Sequence, residues 1–158
     1  MGGCCRRIAH LHCACHDGAI VMIIESELDR LIHQLIKDEI AEIKLGDSNI
    51  IVHVFERATK ISLTSAVYVG ENFIPMSVRK SLSTQPDFAK GALSNRLSLD
   101  EKNYRIQLHY TGNLSNLNKR MFVDLLEEFS WLAEQWRLFL DEHDKQDLVY
   151  AFSPHDRG

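Results

Sequence analysis

Apolar positions recur at helical spacing early in the chain and again near its end, with alternating runs between. Leu28, Leu31, Ile32, Leu35 and Ile36 fall at i, i+3, i+4, i+7 and i+8. That spacing predicts one amphipathic helix ending near Lys37. Ser26 is expected to cap it, with Glu27 and Asp29 complementing the helix dipole. His33 lies beside the stripe and carries no chemistry on its own.

Three strands are expected next. Ile43 and Leu45 alternate with Glu42 and Lys44, and Gly46-Asp47-Ser48 reads as a turn. Ile50 to Phe55 is apolar at nearly every position, as in an interior strand covered on both faces. Ile61, Leu63, Val67 and Val69 then alternate with Ser62, Thr64, Ala66 and Tyr68. The short links predict an antiparallel meander. Ile74, Val78 and Leu82 lie four apart behind Pro75, a spacing and a first residue that suit a short helix.

Leu97-Ser98-Leu99 and Tyr104 to Tyr110 flank a polar turn, Asp100 to Asn103, and predict a hairpin. Thr111-Gly112-Asn113 reads as a second turn. A long helix follows. Phe122, Leu126, Phe129, Ala133, Trp136 and Leu140 form its stripe, widened by Met121, Leu125, Leu132 and Phe139. Trp131 and Leu138, seven apart, fall on the opposite, acidic face. Two readings stay open there: cover from a neighbouring loop, or an exposed contact patch.

The pattern predicts an α+β protein. An antiparallel twisted sheet of about five strands has helices at both ends, in the order α-β-β-β-α-β-β-α. The 158 residues fit one core. Residues 22–145 are expected to form the single domain, residues 146–158 a flexible tail.

Residues 1–21 are compositionally different. All four cysteines (Cys4, Cys5, Cys13, Cys15) lie there, with His10, His12 and His16. Thiolate and imidazole suit zinc, so Cys4, Cys5, Cys13, Cys15 and His16 make a weak alternative metal set. Cys13-Ala14-Cys15 is not a C-x2-C knuckle, and no second ligand pair follows. Arg6 stands where the myristoylation pattern wants Ser or Thr, and histidines break any secretory apolar centre. The segment is expected to be an unstructured leader or an extension upstream of Met22.

A body without cysteine favours a cytoplasmic setting. Net charge is −4. Residues 1–21 hold two arginines and one aspartate, so the remainder carries −5. That acidity disfavours a phosphate backbone as partner, and no nucleic acid is expected. No apolar run approaches about 18 residues, so no membrane insertion is expected. Phosphate-binding, dinucleotide, zinc-protease and nucleophile-elbow motifs are all missing. Neither enzymatic activity nor a cofactor is expected.

The order of elements resembles that of the Tir-chaperone family, small acidic chaperones of bacterial type III secretion. Leu97-Ser98-Leu99-Asp100, Ile106-Gln107-Leu108 and the segment Phe129 to Arg137, with its Ala-x-x-Trp, carry the likeness, which spans residues 25–142. The resemblance implies a cytoplasmic bacterial homodimer without enzymatic activity. Its partner would be the N-terminal segment of a secreted effector, kept soluble and competent for secretion. It also implies that Val78, Leu82, Tyr104, Ile106 and Leu108 contribute to the dimer interface. Leu28, Ile32, Ile50, Val52, Ile61 and Leu63 would form the core and the grooves for effector side chains. Trp131 and Leu138 join them as candidate contacts. The alternative is a zinc-binding regulatory or adaptor protein that uses the N-terminal Cys/His cluster.

Overall fold

A computed structural model describes residues 23–91, 93–115 and 117–151, with side chains described through Lys145. Helix α1 covers Glu25–Asp38. Strands β1 (Ile40–Leu45), β2 (Ser48–Phe55) and β3 (Lys60–Val69) follow. A short helix α2 (Met76–Ser81) and a 3-10 turn (Asp87–Lys90) lead to β4 (Arg96–Asp100) and β5 (Arg105–Asn113). Helix α3 (Lys119–Ala151) closes the chain. This is the expected α-β-β-β-α-β-β-α order. The five strands form one antiparallel sheet in the order β1-β2-β3-β5-β4.

Both long helices pack on one face of the sheet, α1 on β1 and β2, α3 on β3 and β2. The period of two sends Ala41, Ile43 and Leu45, then Ile50, Val52 and Val54, then Ile61 and Leu63, into that layer. Ile106 and Leu108 complete it from β5. The α3 stripe of Phe122, Leu126, Phe129, Ala133, Trp136 and Leu140 is buried throughout. Trp136, Phe139 and Phe88 meet edge to face, with ring centroids 5.1–5.9 Å apart.

Several local expectations change. Ser26 lies inside the first turn of α1, where Ile24 is the N-cap and no side chain caps the helix. Ser48 belongs to β2, and its hydroxyl accepts from Arg137 at 2.6 Å. The β2 strand is interior in order but covered on one face only: Ile51 and His53 are exposed, because both long helices lie on the other side. Thr111, Gly112 and Asn113 continue β5 beside Ser62, Ile61 and Lys60. The Tyr110 ring fills the space a side chain at Gly112 would take, which lets a glycine persist in that strand. Tyr104 is not a strand residue. It ends the β4–β5 turn at φ 56°, where the Asp100 carboxylate accepts from the backbone of Lys102 and Asn103. Helix α3 runs on to Ala151, into the segment expected as a tail, while residues 152–158 lie outside the described residues. So does the Cys/His leader, apart from which no candidate metal cluster occurs among the described residues.

A register shift between Ala66 and Tyr68 turns both Val67 and Tyr68 inward. Beyond it, the Gly70 N–H donates to the Tyr104 carbonyl at 2.7 Å, tying the end of β3 to the hairpin tip.

Candidate functional site

The site begins with the way α1 ends. Glu39 takes a left-handed conformation (φ 66°), and its N–H donates to the Leu35 carbonyl at 2.9 Å. Its own carbonyl accepts from the Val54 N–H at 2.8 Å. The last turn of α1 is thereby pinned to the far end of β2. Across from it, the Asn118 side chain caps α3 by accepting from the Met121 N–H at 2.8 Å. Lys119, one residue on, reaches Glu25 at 2.6 Å and Asp29 at 3.3 Å. These two carboxylates, Glu25 first, raise the Lys119 pKa. They also tie the start of α3 to α1.

Between these anchors a cavity of about 440 Å³ opens to the surface. Ile32, Leu35 and Ile36 form its α1 wall. Val54, Ala58 and Ile61 form the floor, at the β2–β3 end of the sheet. Leu114, Leu117 and Phe122 close it from the approach to α3, with Glu39, Asn118 and Lys119 as its polar members. Ile36 is 77% exposed at its edge. A concave apolar site of this size holds one or two apolar side chains of a docked segment.

Two further surfaces are open. The uncovered sheet face presents Ile40, Ile51 and the stacked rings of His53 and Phe55 beside the free edge of β1. Val69, Phe73, Met76 and Tyr104 are exposed where β3, α2 and the β4–β5 turn meet. Arg79 makes a two-pronged contact with Glu101 there, at 2.8 and 2.9 Å, joining α2 to the hairpin tip.

The residues expected as contacts divide clearly. Ile32 and Ile61 line the cavity. Leu28, Ile50, Val52 and Leu63 are core, each at most 3% exposed, and offer no surface. Of the dimer candidates, Val78, Ile106 and Leu108 are fully buried within this chain. Leu82 is half-buried, and Tyr104 is exposed. Trp131 is half-buried against the core, whereas Leu138 is 56% exposed. Sequence reasoning missed Leu114, Leu117 and the cavity role of Ile36. The first two sit in a stretch without periodicity, and Ile36 is indistinguishable in sequence from its buried stripe neighbours.

One polar constellation resembles a catalytic pair. On the open face the Ser98 Oγ lies 2.6 Å from His109 Nε2, and Thr64 Oγ1 lies 3.3 Å from Nδ1. Partial burial, and then Arg96, lower the His109 pKa. A serine-attack step needs a stabilised imidazolium, and here a neutral hydroxyl stands where a carboxylate would be.

No protein-family model matches the chain, and no curated protein does. Solved structures do. A chain of the ExsC–ExsE complex superposes with a TM-score of 0.52 at 16% identity, covering 75% of this chain and 97% of that one. The fold is that of a type III secretion chaperone. Weaker likenesses extend to two further complexes. One is ExoU–SpcU from the type III secretion system of Pseudomonas aeruginosa (TM-score 0.47, 14% identity, 67% and 83% covered). The other is the Yersinia pestis secretion chaperone SycH with a fragment of YscM2 (TM-score 0.44, 13% identity, 70% and 97% covered). In this chaperone fold the cavity lies between the two long helices and the sheet. No helix among the described residues is long and apolar enough to cross a membrane.

Proposed function

We propose that the protein is a non-enzymatic secretion chaperone of the bacterial cytoplasm. It binds the N-terminal segment of a secreted effector and keeps it soluble and secretion-competent. The observation that carries this reading is the apolar cavity formed by Ile32, Ile36, Ile61 and Leu117 in a chaperone fold. An unfolded segment anchors apolar side chains in such a cavity and continues along the exposed edge of β1, where unpaired backbone groups accept a further strand. The protein works as a homodimer, and the exposed group of Val69, Phe73, Met76 and Tyr104 supplies apolar surface for that contact.

The test is co-purification from the native host with three forms of the full chain: the parent, Ile36→Asp and Leu138→Asp. Ile36 and Leu138 are both exposed, so neither change disturbs the core. Leu138, expected from the sequence as a contact, does not line the cavity, so the parent and Leu138→Asp are expected to retain a polypeptide partner, and Ile36→Asp to lose at least about tenfold in affinity, the equivalent of about 1.4 kcal/mol. A monomeric parent that captures no polypeptide would overturn the reading.

A further inference from the structure

We infer that the free edge of β1 pairs with the same edge of a second copy of the chain, joining two sheets across a two-fold axis at Ile43. The inference stands on the backbone and charge pattern of that edge and does not depend on what fills the cavity.

The register of β1 decides which of its backbone groups are free. The Val54 N–H donates to the Glu39 carbonyl, so these two residues form a hydrogen-bonded pair of the β1–β2 ladder. Such pairs recur at every second residue of an antiparallel ladder. Ala41, Ile43 and Leu45 therefore bond to Val52, Ile50 and Ser48. The N–H and C=O groups of Ile40, Glu42 and Lys44 point away from β2, along the edge of the sheet, and meet no strand among the described residues. Their side chains are exposed on the uncovered face.

Sheet edges are commonly guarded by proline, by bulges or by charges turned inward. In β1 there is no proline, the pairing with β2 is unbroken, and the two charges face outward. Its remaining guard is the pair Glu42 and Lys44, which repels only a strand that sets like charges against it. Sliding two antiparallel copies of β1 past one another by two residues at a time keeps their free groups opposed. Centred on Glu42, the pairing sets Glu42 against Glu42; centred on Lys44, it sets Lys44 against Lys44. Centred on Ile43, it places each Glu42 directly across from Lys44 of the other copy. Neither residue forms a salt bridge among the described residues, so both are available. The same register sets Ile43 against Ile43 and Ala41 against Leu45 on the covered side, which continues the apolar layer from one copy into the next. The opposite edge is not equivalent. The only carboxylate of β4, Asp100, already accepts from Lys102 and Asn103 in the β4–β5 turn. A foreign strand laid along β1 needs the same backbone groups, so it and the second copy exclude one another.

Sedimentation equilibrium of the full chain at about 100 µM tests the contact, a concentration suited to a short edge interface. Glu42→Lys sets lysine against lysine, and Lys44→Glu sets carboxylate against carboxylate. Each is expected to weaken self-association at least about tenfold. The exchange variant Glu42→Lys/Lys44→Glu is expected to restore it, and the two single variants are expected to associate with each other when mixed. Both positions are exposed, so the fold tolerates these changes. A further interface elsewhere on the chain raises every mass alike and leaves these comparisons intact. Disulfide trapping checks the register. With Cys4, Cys5, Cys13 and Cys15 changed to Ser, a mixture of Glu42→Cys and Lys44→Cys chains is expected to form the mixed disulfide, because paired Cα atoms lie about 5.5 Å apart. Glu42→Cys chains alone are expected to form little. A parent that sediments like Glu42→Lys, an exchange variant as weak as the single ones, or equal trapping in Glu42→Cys chains alone would overturn the inference. Each of those results leaves the cargo reading standing, since capture of a polypeptide and its loss in Ile36→Asp are measured separately.

Discussion

The hydroxyl oxygen of Ser98 on β4 lies 2.6 Å from Nε2 of His109 on β5. Both side chains stand on the uncovered face of the sheet, two residues out of direct register, since Ser98 pairs with Gln107 and His109 with Arg96. Burial, with Arg96 beside it, holds the His109 pKa below the ordinary histidine value of 6.5. Well above that value His109 is neutral in folded and unfolded chains alike, and pH has no leverage through it. As pH falls through 6.5 the unfolded chain takes up a proton first, so stability is lost from there down to the folded pKa. Urea denaturation between pH 8 and about pH 5 is expected to show this loss, and His109→Gln to flatten it. An unchanged pH slope in His109→Gln would assign the loss to other groups.

Ser65 is 2% exposed, and its hydroxyl is buried without a hydrogen-bond partner among the described residues. Leaving a buried hydroxyl unpaired costs free energy that a methyl group does not. Ser65→Ala is therefore expected to raise stability by about 1 kcal/mol, read as a higher urea midpoint at unchanged slope. A lower midpoint would mean that the hydroxyl is paired in solution.

Glu56, Arg57 and Ala58 occupy successive left-handed conformations, with φ of 54°, 58° and 63°. Each costs about 1–2 kcal/mol in a residue with a Cβ. Glycine removes that cost but orders more freely moving backbone, so the two effects partly cancel. Ala58→Gly is expected to stabilise the fold by about 0.5 kcal/mol. Thermal unfolding measures the change; destabilisation would show that the Ala58 methyl, which lines the cavity floor, contributes more by packing than it costs in strain.

A Cβ at Gly70 would lie 2.4 Å from the Phe73 carbonyl oxygen, and backbone cannot yield as a side chain does. Gly70→Ala is expected to cost about 1–3 kcal/mol. It should also break the Gly70–Tyr104 backbone bond, which amide exchange at Gly70 would report. Slow exchange in the variant would contradict that.

The elements that sequence reveals best are those whose inner and outer faces differ. The α3 stripe from Phe122 to Leu140 is legible because its steps of four and three residues keep it within about 40° of one line along the helix, which leaves the polar residues on the far side. β3 is legible because the period of two is clean from Ile61 to Leu63. Ile36 and Ile51 fail for the opposite reason. Each is an apolar residue among apolar residues, and only the placement of a distant element decides whether it is covered. Ile36 stays open because Leu117 and Phe122 stand back from it across the cavity. Thr111 to Asn113 carry turn residues, yet pairing with β3 outweighs local preference there. The cavity is assembled from α1, β2, β3 and the Leu114–Asn118 approach, which no single window of sequence contains. Only Ile32 and Ile61 among its walls were visible as candidates, and those two because they are also core-facing.

Because both long helices lie on one side of the sheet, adjacent residues on each strand serve different masters. Ile50 and Val52 answer to the interior, Ile51 and His53 to whatever approaches from outside. Substitutions at Glu42, Ile51, Thr64 or Arg96 can therefore accumulate across a lineage while the interior is conserved in character. A scaffold divided this way keeps its shape as its partners diverge, so its descendants grow unrecognisable by sequence long before they do by architecture.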